Sequence, residues 1–268
     1  DQWHAMTRTG VAPRLSQHAP EPFVEINPAD AKRLNVAADG LVRLSNARGL
    51  MIARAQITER QRVGNVFAPI HWTDRFASNA RVGALVAANL DPIAGQPESK
   101  GSAVRLEALA PAWFGFALLR ERPERLAFDY WALARIEHGY RIELAGFDQL
   151  ADPDTLAATL FALDGARRAS LIVMCDEKAG TRRYAAAHAG ATIAALYIAR
   201  APLAIARAWA CEQFANLSVD PLLLLAGRPG SAGRDSGKKI CVCFDVGANA
   251  IRDAFADGCG DASAVGAT

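Results

Sequence analysis

Short apolar runs separated by turn residues fill residues 22–109, and this pattern constrains the fold of the chain more than any other feature. Strand composition occurs in five runs, at 22–27, 41–45, 50–58, 64–72 and 105–109. The stretch NPADAKRL marks one helix start, because Asn27 can cap the free amides, Pro28 suits the first helical position and Asp30 favours the positive end of the helix dipole. Several short strands and one short helix predict a compact, mostly β domain, a β-barrel.

The composition changes after residue 110, where alanine, leucine and arginine become frequent. Apolar residues at helical spacing predict helices in 113–137 and in 202–215. Between them, residues 170–187 and 191–199 have the composition of strands that flank a turn. The chain is thus divided into a β-barrel at 1–110, an α+β region of unknown role at 111–225, a linker at 226–239 and a final segment at 240–268.

The composition excludes several classes of protein. The 30 basic residues are interspersed with 28 acidic ones and the net charge is +2, so the sequence shows no basic patch of the kind that binds nucleic acid. No uninterrupted run of about eighteen apolar residues is present, which argues against a membrane protein. Five cysteines in 268 residues are sparse and odd in number, which favours a reducing cytoplasm over a secreted disulfide framework.

The polar N-terminal loop concentrates hydrogen-bond donors, since His4 is followed closely by Thr7, Arg8 and Thr9. Arginine makes bidentate, charge-assisted bonds to anions, and exposed backbone amides add further donors. Such a loop suits a phosphate-rich or heterocyclic ligand. Composition alone nevertheless favours an ordinary polar terminus, so the ligand hypothesis needs a more specific signal.

Four separated blocks supply that signal: QWHAMTRTG, EPFVEINPADAKRLNVAADGLVRLSNARG, VFAPIHW and NLDPIAGQPESKGSAVRLEAL. Together they resemble the C-terminal molybdopterin dinucleotide-binding domain of the molybdenum oxidoreductases that include formate dehydrogenases and nitrate reductases. Within that family they are most similar to bacterial assimilatory nitrate reductase catalytic subunits. The resemblance implies a double-psi β-barrel that closes over a bis(molybdopterin guanine dinucleotide) molybdenum cofactor.

The resemblance also implies which residues contact that cofactor. They are His4, Met6, Thr7, Arg8 and Thr9 of the N-terminal loop, His71 and Trp72 near the pterin, Lys100, and Asn89 in the same loop as Lys100. Considered without the motif, Trp72 fits a core aromatic equally well, Lys100 fits a solvated lysine, and Asp91-Pro92 marks a turn. One position departs from the family, since Gly83 stands where relatives often carry asparagine, and Asn79 is a candidate substitute.

Cys241 and Cys243 lie one residue apart near the end of the chain. The spacing alone is compatible with three roles for these cysteines: idle thiols, zinc ligands or ligands of an iron–sulfur cluster. Thiolates bind both zinc and iron, and either site needs four ligands, of which this pair supplies two. The stretch KKICVCFDVGANAIRDAFADG resembles the start of a small α-helical [2Fe-2S] domain of the bacterioferritin-associated-ferredoxin type. That resemblance implies two further cysteine ligands beyond Thr268, so we expect the domain to be truncated. Cys259 is not favoured as a ligand, and Cys175 and Cys211 are predicted in the core.

The resemblance therefore implies a fragment of an enzyme that reduces nitrate to nitrite. Electrons would come from an NAD(P)H-dependent reductase subunit or from ferredoxin or flavodoxin. The molybdenum ligand and any [4Fe-4S] cluster would belong to a missing upstream chain, so the fragment alone is not expected to turn over nitrate. Two alternatives stay open: another molybdopterin oxidoreductase such as a formate dehydrogenase, and a non-catalytic electron-transfer or cofactor-binding module.

Overall fold

The computed structural model describes residues 12–163, 171–230, 235–241, 246–261 and 264. Its helices are α1 (Pro13–Ser16), α2 (Pro28–Arg33), α3 (Pro153–Leu160), α4 (Arg207–Ala215), α5 (Pro221–Ala226) and α6 (Ala248–Ala256). Its strands are β1 (Phe23–Ile26), β2 (Leu41–Ser45), β3 (Leu50–Ile57), β4 (Val66–Phe67), β5 (Arg105–Ala108), β6 (Trp113–Leu119), β7 (Tyr130–Ile136), β8 (Gly139–Gly146), β9 (Leu171–Asp176), β10 (Thr181–His188), β11 (Ala191–Ala199), β12 (Lys239–Cys241) and β13 (Val246–Gly247). A 3-10 helix covers Val82–Leu85. No helix within the described ranges has the length and apolar character needed to cross a lipid bilayer.

The N-terminal region forms a five-stranded sheet with the strand order β4-β1-β3-β2-β5. β1 and β3 are parallel, and the other neighbouring strands are antiparallel. Alternate side chains of a strand share a face, so Val24 and Ile26 pack with Val42 and Leu44 in one core. This arrangement confirms the mostly β character predicted for the region.

Helix α2 begins where the capping signals predict it. The side-chain oxygen of Asn27 accepts a hydrogen bond from the amide of Ala29 at 2.9 Å. The buried carboxylate of Asp30 accepts from the Arg33 guanidinium at 2.8 Å and from the Gly64 amide at 2.6 Å. The turn before β4 is therefore fixed against the helix. This local structure follows directly from the sequence.

The predicted strand at 64–72 is shorter than expected, since β4 contains two residues. Pro69 has no amide hydrogen to donate to a neighbouring strand. His71 has a φ of 80°, which is outside the extended region. Both features end the strand before it reaches Trp72.

The middle region forms a six-stranded antiparallel sheet with the order β7-β8-β6-β11-β10-β9. Helices α4 and α5 cover one face, where Trp209, Phe214 and Leu224 pack with Phe116 and Tyr197. The other face packs against α3 and against side chains of the N-terminal region. The strands β9, β10 and β11 and the helix α4 confirm the predictions made for those stretches.

The helix predicted across 113–137 is wrong, because this stretch forms β6 and β7. Each strand has seven residues, and Pro123 lies in the loop between them. Most residues of both strands are buried, so the sequence lacks the alternation of apolar and polar residues that marks a strand with one exposed face. Two buried strands joined by a polar loop imitate helical spacing, and periodicity alone cannot distinguish the two cases.

The final segment contains a small two-stranded sheet, β12 with β13, followed by α6, as predicted for the helix. The side-chain amide of Asn249 donates to the backbone carbonyl of Asp235 at 2.9 Å. The backbone amide of Asn249 donates to the carbonyl of Ser236 at 3.0 Å. A Cβ on Gly247 would lie 1.9 Å from the Ser236 oxygen, so only glycine fits there. The end of the predicted linker is thus bonded to α6.

Candidate functional site

Residues 71–78 connect the first sheet to the edge of the second. The amide of Ser78 donates to the carbonyl of Trp131 at 2.9 Å, and the amide of Trp131 donates to the Ser78 hydroxyl at 2.9 Å. The amide of Leu133 donates to the carbonyl of Phe76 at 2.7 Å. Ala77 and Ala132 form an isolated antiparallel β-bridge between this bond and the two bonds of Ser78. Strand β7 therefore holds the segment that carries two of the predicted cofactor contacts.

Those two contacts, His71 and Trp72, differ in exposure. The indole of Trp72 is 4% exposed and belongs to the same core cluster as Phe76 and Trp113. His71 is half-buried, and its φ of 80° is uncommon for a residue other than glycine. Strained backbone persists where the surroundings determine it, and it is frequent at ligand sites. The structure therefore supports the core role of Trp72, and contact of either side chain with a pterin stays a prediction.

The loop before β5 folds around Asp91, where the sequence predicts a turn. Its carboxylate accepts hydrogen bonds from the amides of Ala94 at 2.6 Å and Ile93 at 2.9 Å. These two bonds hold the pKa of Asp91 below its usual range. The carbonyl of Asp91 also accepts from the Gly95 amide at 2.9 Å, which closes the turn and confirms that prediction.

Asn89 and Lys100 lie on either side of this turn, and both are exposed. The side chain of Asn89 donates to the Glu98 carboxylate at 3.1 Å. Lys100 makes no hydrogen bond or ion pair with any residue that the structure describes. A Cβ on Gly83 would meet no atom within 4 Å, so the space for the family's asparagine exists there. Lys100 is therefore the candidate on this loop whose charge is most available to a ligand.

Several predicted ligands lie outside the described residues. These are His4, Met6, Thr7, Arg8 and Thr9 of the N-terminal loop and Cys243 of the cysteine pair. Cys241, at the end of β12, is half-buried and has a free thiol. Within the described ranges, no three His, Cys, Asp or Glu side chains form a group that could hold a metal ion. The contacts predicted for these residues stay predictions.

The other cysteines divide into a buried and an exposed one. Cys211 lies on the buried face of α4, in the core as predicted, and burial raises the pKa of its thiol to about 11. Cys175 was predicted in the core, but it is exposed on β9, the edge strand of the second sheet. The apolar run LIVMC suggests burial, yet an edge strand has a neighbour on one side only. The prediction that Cys175 is buried, which rested on the apolar composition of this run, is therefore wrong.

Charged residues that no sequence motif revealed lie between the two sheets, and their side chains are buried or half-buried. The Arg54 guanidinium of β3 donates to the Glu21 carboxylate at 2.5 and 3.0 Å, and the Tyr130 hydroxyl of β7 donates to the same carboxylate at 2.8 Å. Burial raises the pKa of Tyr130 well above its ordinary value, and the Glu21 charge adds to this effect. Tyr130 is therefore a neutral donor that links β7 to the N-terminal region.

A second carboxylate, Glu143 of β8, lies in the same cluster. It accepts from Arg141 at 2.5 Å and from Arg207 of α4 at 2.7 and 3.1 Å. Burial alone would raise the pKa of Glu143, but the charges of Arg207 and Arg141 lower it to about 2. Glu143 is thus ionised at neutral pH, and it fixes α4 to the second sheet.

Comparison with known proteins agrees with the N-terminal fold. Residues 1–103 match the family model of the molydopterin dinucleotide binding domain. The chain is similar to a nitrate reductase of Klebsiella oxytoca, with 35% identity over 272 residues that cover 99% of this chain and 30% of that protein.

Two further relatives match shorter parts of the chain. One is the F420-dependent formate dehydrogenase subunit alpha of Methanocaldococcus jannaschii, 36% identical over 107 residues, which are 40% of this chain and 15% of that protein. The other is the assimilatory nitrate reductase catalytic subunit of Bacillus subtilis, 38% identical over 86 residues, which are 32% of this chain and 12% of that protein. The chain spans 30% or less of the length of these three relatives.

Proposed function

We propose that this chain is the C-terminal part of a molybdenum-dependent assimilatory nitrate reductase, an oxidoreductase that reduces nitrate to nitrite. The observation that carries the proposal is the similarity to the Klebsiella oxytoca nitrate reductase over 99% of the chain. The alignment with the formate dehydrogenase subunit covers 40% of the chain, so it leaves more than half of the chain unmatched. Catalysis belongs to the longer enzyme, and the chain by itself is not expected to turn over nitrate.

In this proposal, residues 1–110 form a double-psi β-barrel that binds bis(molybdopterin guanine dinucleotide). The donors on the exposed loop fit such a ligand, because the uncompensated cation of Lys100 and the amide of Asn89 suit a polyanionic dinucleotide. His71 and the N-terminal loop would add contacts to the pterin. When bound, the cofactor supplies the redox chemistry, and the residues of the chain hold and orient it.

Residues 240–268 would begin a [2Fe-2S] domain in which Cys241 and Cys243 supply two thiolate ligands. This chain would then hold half of the ligand set, and any [4Fe-4S] cluster would lie in the upstream part of the enzyme. The electron donor would be an NAD(P)H-dependent reductase subunit or ferredoxin or flavodoxin. The four described cysteines are free, which supports a reducing, cytoplasmic location.

An activity assay of the full-length enzyme tests the proposed substrate. We expect reduced viologen to be oxidised when nitrate is added, with nitrite as the product, and formate with a dye acceptor to give no comparable rate. The alternative, a formate dehydrogenase, is supported by the match to the Methanocaldococcus jannaschii subunit. Formate oxidation without nitrate reduction would establish that alternative and reject the nitrate assignment.

A further inference from the structure

The loop that carries Lys100 joins the 3-10 helix to β5, and its residues 88–101 are all exposed. Hydrogen bonds within the loop, such as the one from the amide of Glu98 to the carbonyl of Asn89 at 3.0 Å, fix its shape. They do not attach it to the sheet. An exposed loop of this kind opens easily, so its position relative to the sheet depends on what holds its two ends.

The side chain of Asn46 holds both ends of this loop. Its Nδ2 donates to the carbonyl of Leu85 at 2.8 Å and to the carbonyl of Ala103 at 3.3 Å. Leu85 is the last residue of the 3-10 helix, and Ala103 comes three residues after Lys100. An asparagine amide has two N–H groups, so one side chain can bond to both carbonyls. Asn46 therefore joins the start of the loop to its end.

Asn46 is itself fixed by the turn between β2 and β3. Its Oδ1 accepts hydrogen bonds from the backbone amides of Arg48 at 2.9 Å and Gly49 at 3.3 Å. Its backbone amide donates to the carbonyl of Gly49 at 3.0 Å. A Cβ on Gly49 would lie 2.9 Å from the carbonyl oxygen of Ala84, so glycine lets this turn approach the 3-10 helix closely. Oδ1 thus stabilises the turn, and Nδ2 stabilises the loop.

We propose that Asn46 is a positioning residue for the cofactor-binding loop, and that it sets where Asn89 and Lys100 meet the dinucleotide. This inference rests on the proposed function, because it takes Lys100 to be a cofactor contact. Asn46 acts through these two residues and not by a contact of its own. A loop that is held in its bound position before the ligand arrives loses less conformational freedom on binding, and it therefore retains the ligand more tightly.

Asn46→Ser separates the bonds to the loop from the bonds of the turn. The serine hydroxyl can accept from nearby backbone amides, as it does in turns and helix caps, but it has one donor and cannot join both carbonyls. The matched control is Asn27→Ser. Asn27 has the same arrangement at the start of α2, since its Oδ1 accepts from the Ala29 amide and its Nδ2 donates to the carbonyl of Gln61 at 2.7 Å.

Limited digestion of the purified chain with trypsin measures how well the loop is held. The rate of cleavage after Lys100 follows the population of the open form of the loop. We expect this cleavage to be about tenfold faster in Asn46→Ser than in the unaltered chain, because two hydrogen bonds are lost. Asn27→Ser should leave this rate unchanged and should instead speed cleavage after Arg62, next to the carbonyl that Asn27 binds. Equal rates of cleavage after Lys100 in Asn46→Ser and in the unaltered chain would overturn the proposal.

The guanine nucleotide content of the full-length enzyme measures the consequence for the cofactor. Asn46→Ser should lower the retained nucleotide about fivefold, and Asn27→Ser should leave it unchanged. Because Asn46 acts through the loop, the loss should be much smaller when Asn46→Ser is combined with Lys100→Ala. A general loss of stability would lower retention equally with and without Lys100, so this comparison separates the two roles.

Failure of this inference is distinguishable from failure of the proposed function. If the unaltered enzyme contains guanine nucleotide and Asn46→Ser retains as much of it as Asn27→Ser does, Asn46 is not a positioning residue. If the unaltered enzyme contains no guanine nucleotide, the proposed function is rejected, and the role of Asn46 towards the cofactor is rejected with it.

Discussion

Replacing Glu143 with glutamine is expected to lower the free energy of unfolding of the chain by about 3–5 kcal/mol. The Glu143 side chain is 3% exposed and lies between Arg141 and Arg207. The neutral amide would leave the buried guanidinium of Arg141 and the half-buried guanidinium of Arg207 without their counter-charge. For a chain of this size the loss corresponds to a decrease in Tm of roughly 6–20 °C, measured by thermal unfolding.

Glu107 provides the matched control, because it also bridges two arginines, Arg43 and Arg105, at 2.8 Å each. Its side chain is 26% exposed, so solvent weakens the ion pairs and Glu107→Gln should destabilise the chain much less than Glu143→Gln does. If Glu143→Gln and Glu107→Gln lowered the free energy of unfolding equally, burial would not explain the effect at Glu143.

The effect of Glu143→Gln on the free energy of unfolding should also depend on pH. The folded-state pKa of Glu143 is about 2, below the value of about 4.3 expected in the unfolded chain. The ionised carboxylate therefore stabilises the fold fully above pH 4.3, and this contribution is lost as the pH falls towards 2. The stability difference between the unaltered chain and Glu143→Gln should narrow across that interval, as measured by denaturant unfolding.

Trp72→Ala is expected to destabilise the chain by about 3–5 kcal/mol even when no cofactor is bound. The indole fills a core that also contains Phe76 and Trp113, so its removal leaves a cavity. Denaturant unfolding of the purified chain measures this loss. Trp131→Ala is the control, because Trp131 is half-buried and should cost less.

The Trp72 experiment separates the two roles that the sequence leaves open for this residue. A large loss of stability in the chain alone identifies a core side chain. Unchanged stability of the chain, together with reduced cofactor content in the full-length enzyme, would instead identify Trp72 as a ligand and contradict the structural interpretation.

Local signals in the sequence were sufficient for the elements that depend on neighbouring residues. Asn27 and Pro28 define the start of α2, and Asp91 defines its turn, because each acts on backbone groups within three residues. Strands β9, β10 and β11 were predictable since their composition and turns are local. The molybdopterin-binding resemblance came from ordered blocks rather than from any single residue.

The elements that depend on distant partners could not be predicted in this way. Strands β6 and β7 are buried by α4, α5 and the N-terminal region, so their periodicity imitates a helix. The Glu143–Arg207 contact joins positions 64 residues apart, and no local pattern reveals it. The bond between Tyr130 and Glu21 spans 109 residues. Exposure of Cys175 depends on the position of β9 at the sheet edge, which composition does not encode.

Guanine nucleotide released by acid hydrolysis of the purified full-length enzyme tests the central claim most directly, that this chain helps to hold a molybdopterin guanine dinucleotide. Lys100→Ala removes a charge-assisted contact, and we expect roughly tenfold weaker cofactor retention. The control Lys32→Ala removes another exposed lysine, on α2, and should leave the content unchanged. An enzyme without bound guanine nucleotide, or equal content in Lys100→Ala and Lys32→Ala, would contradict the account.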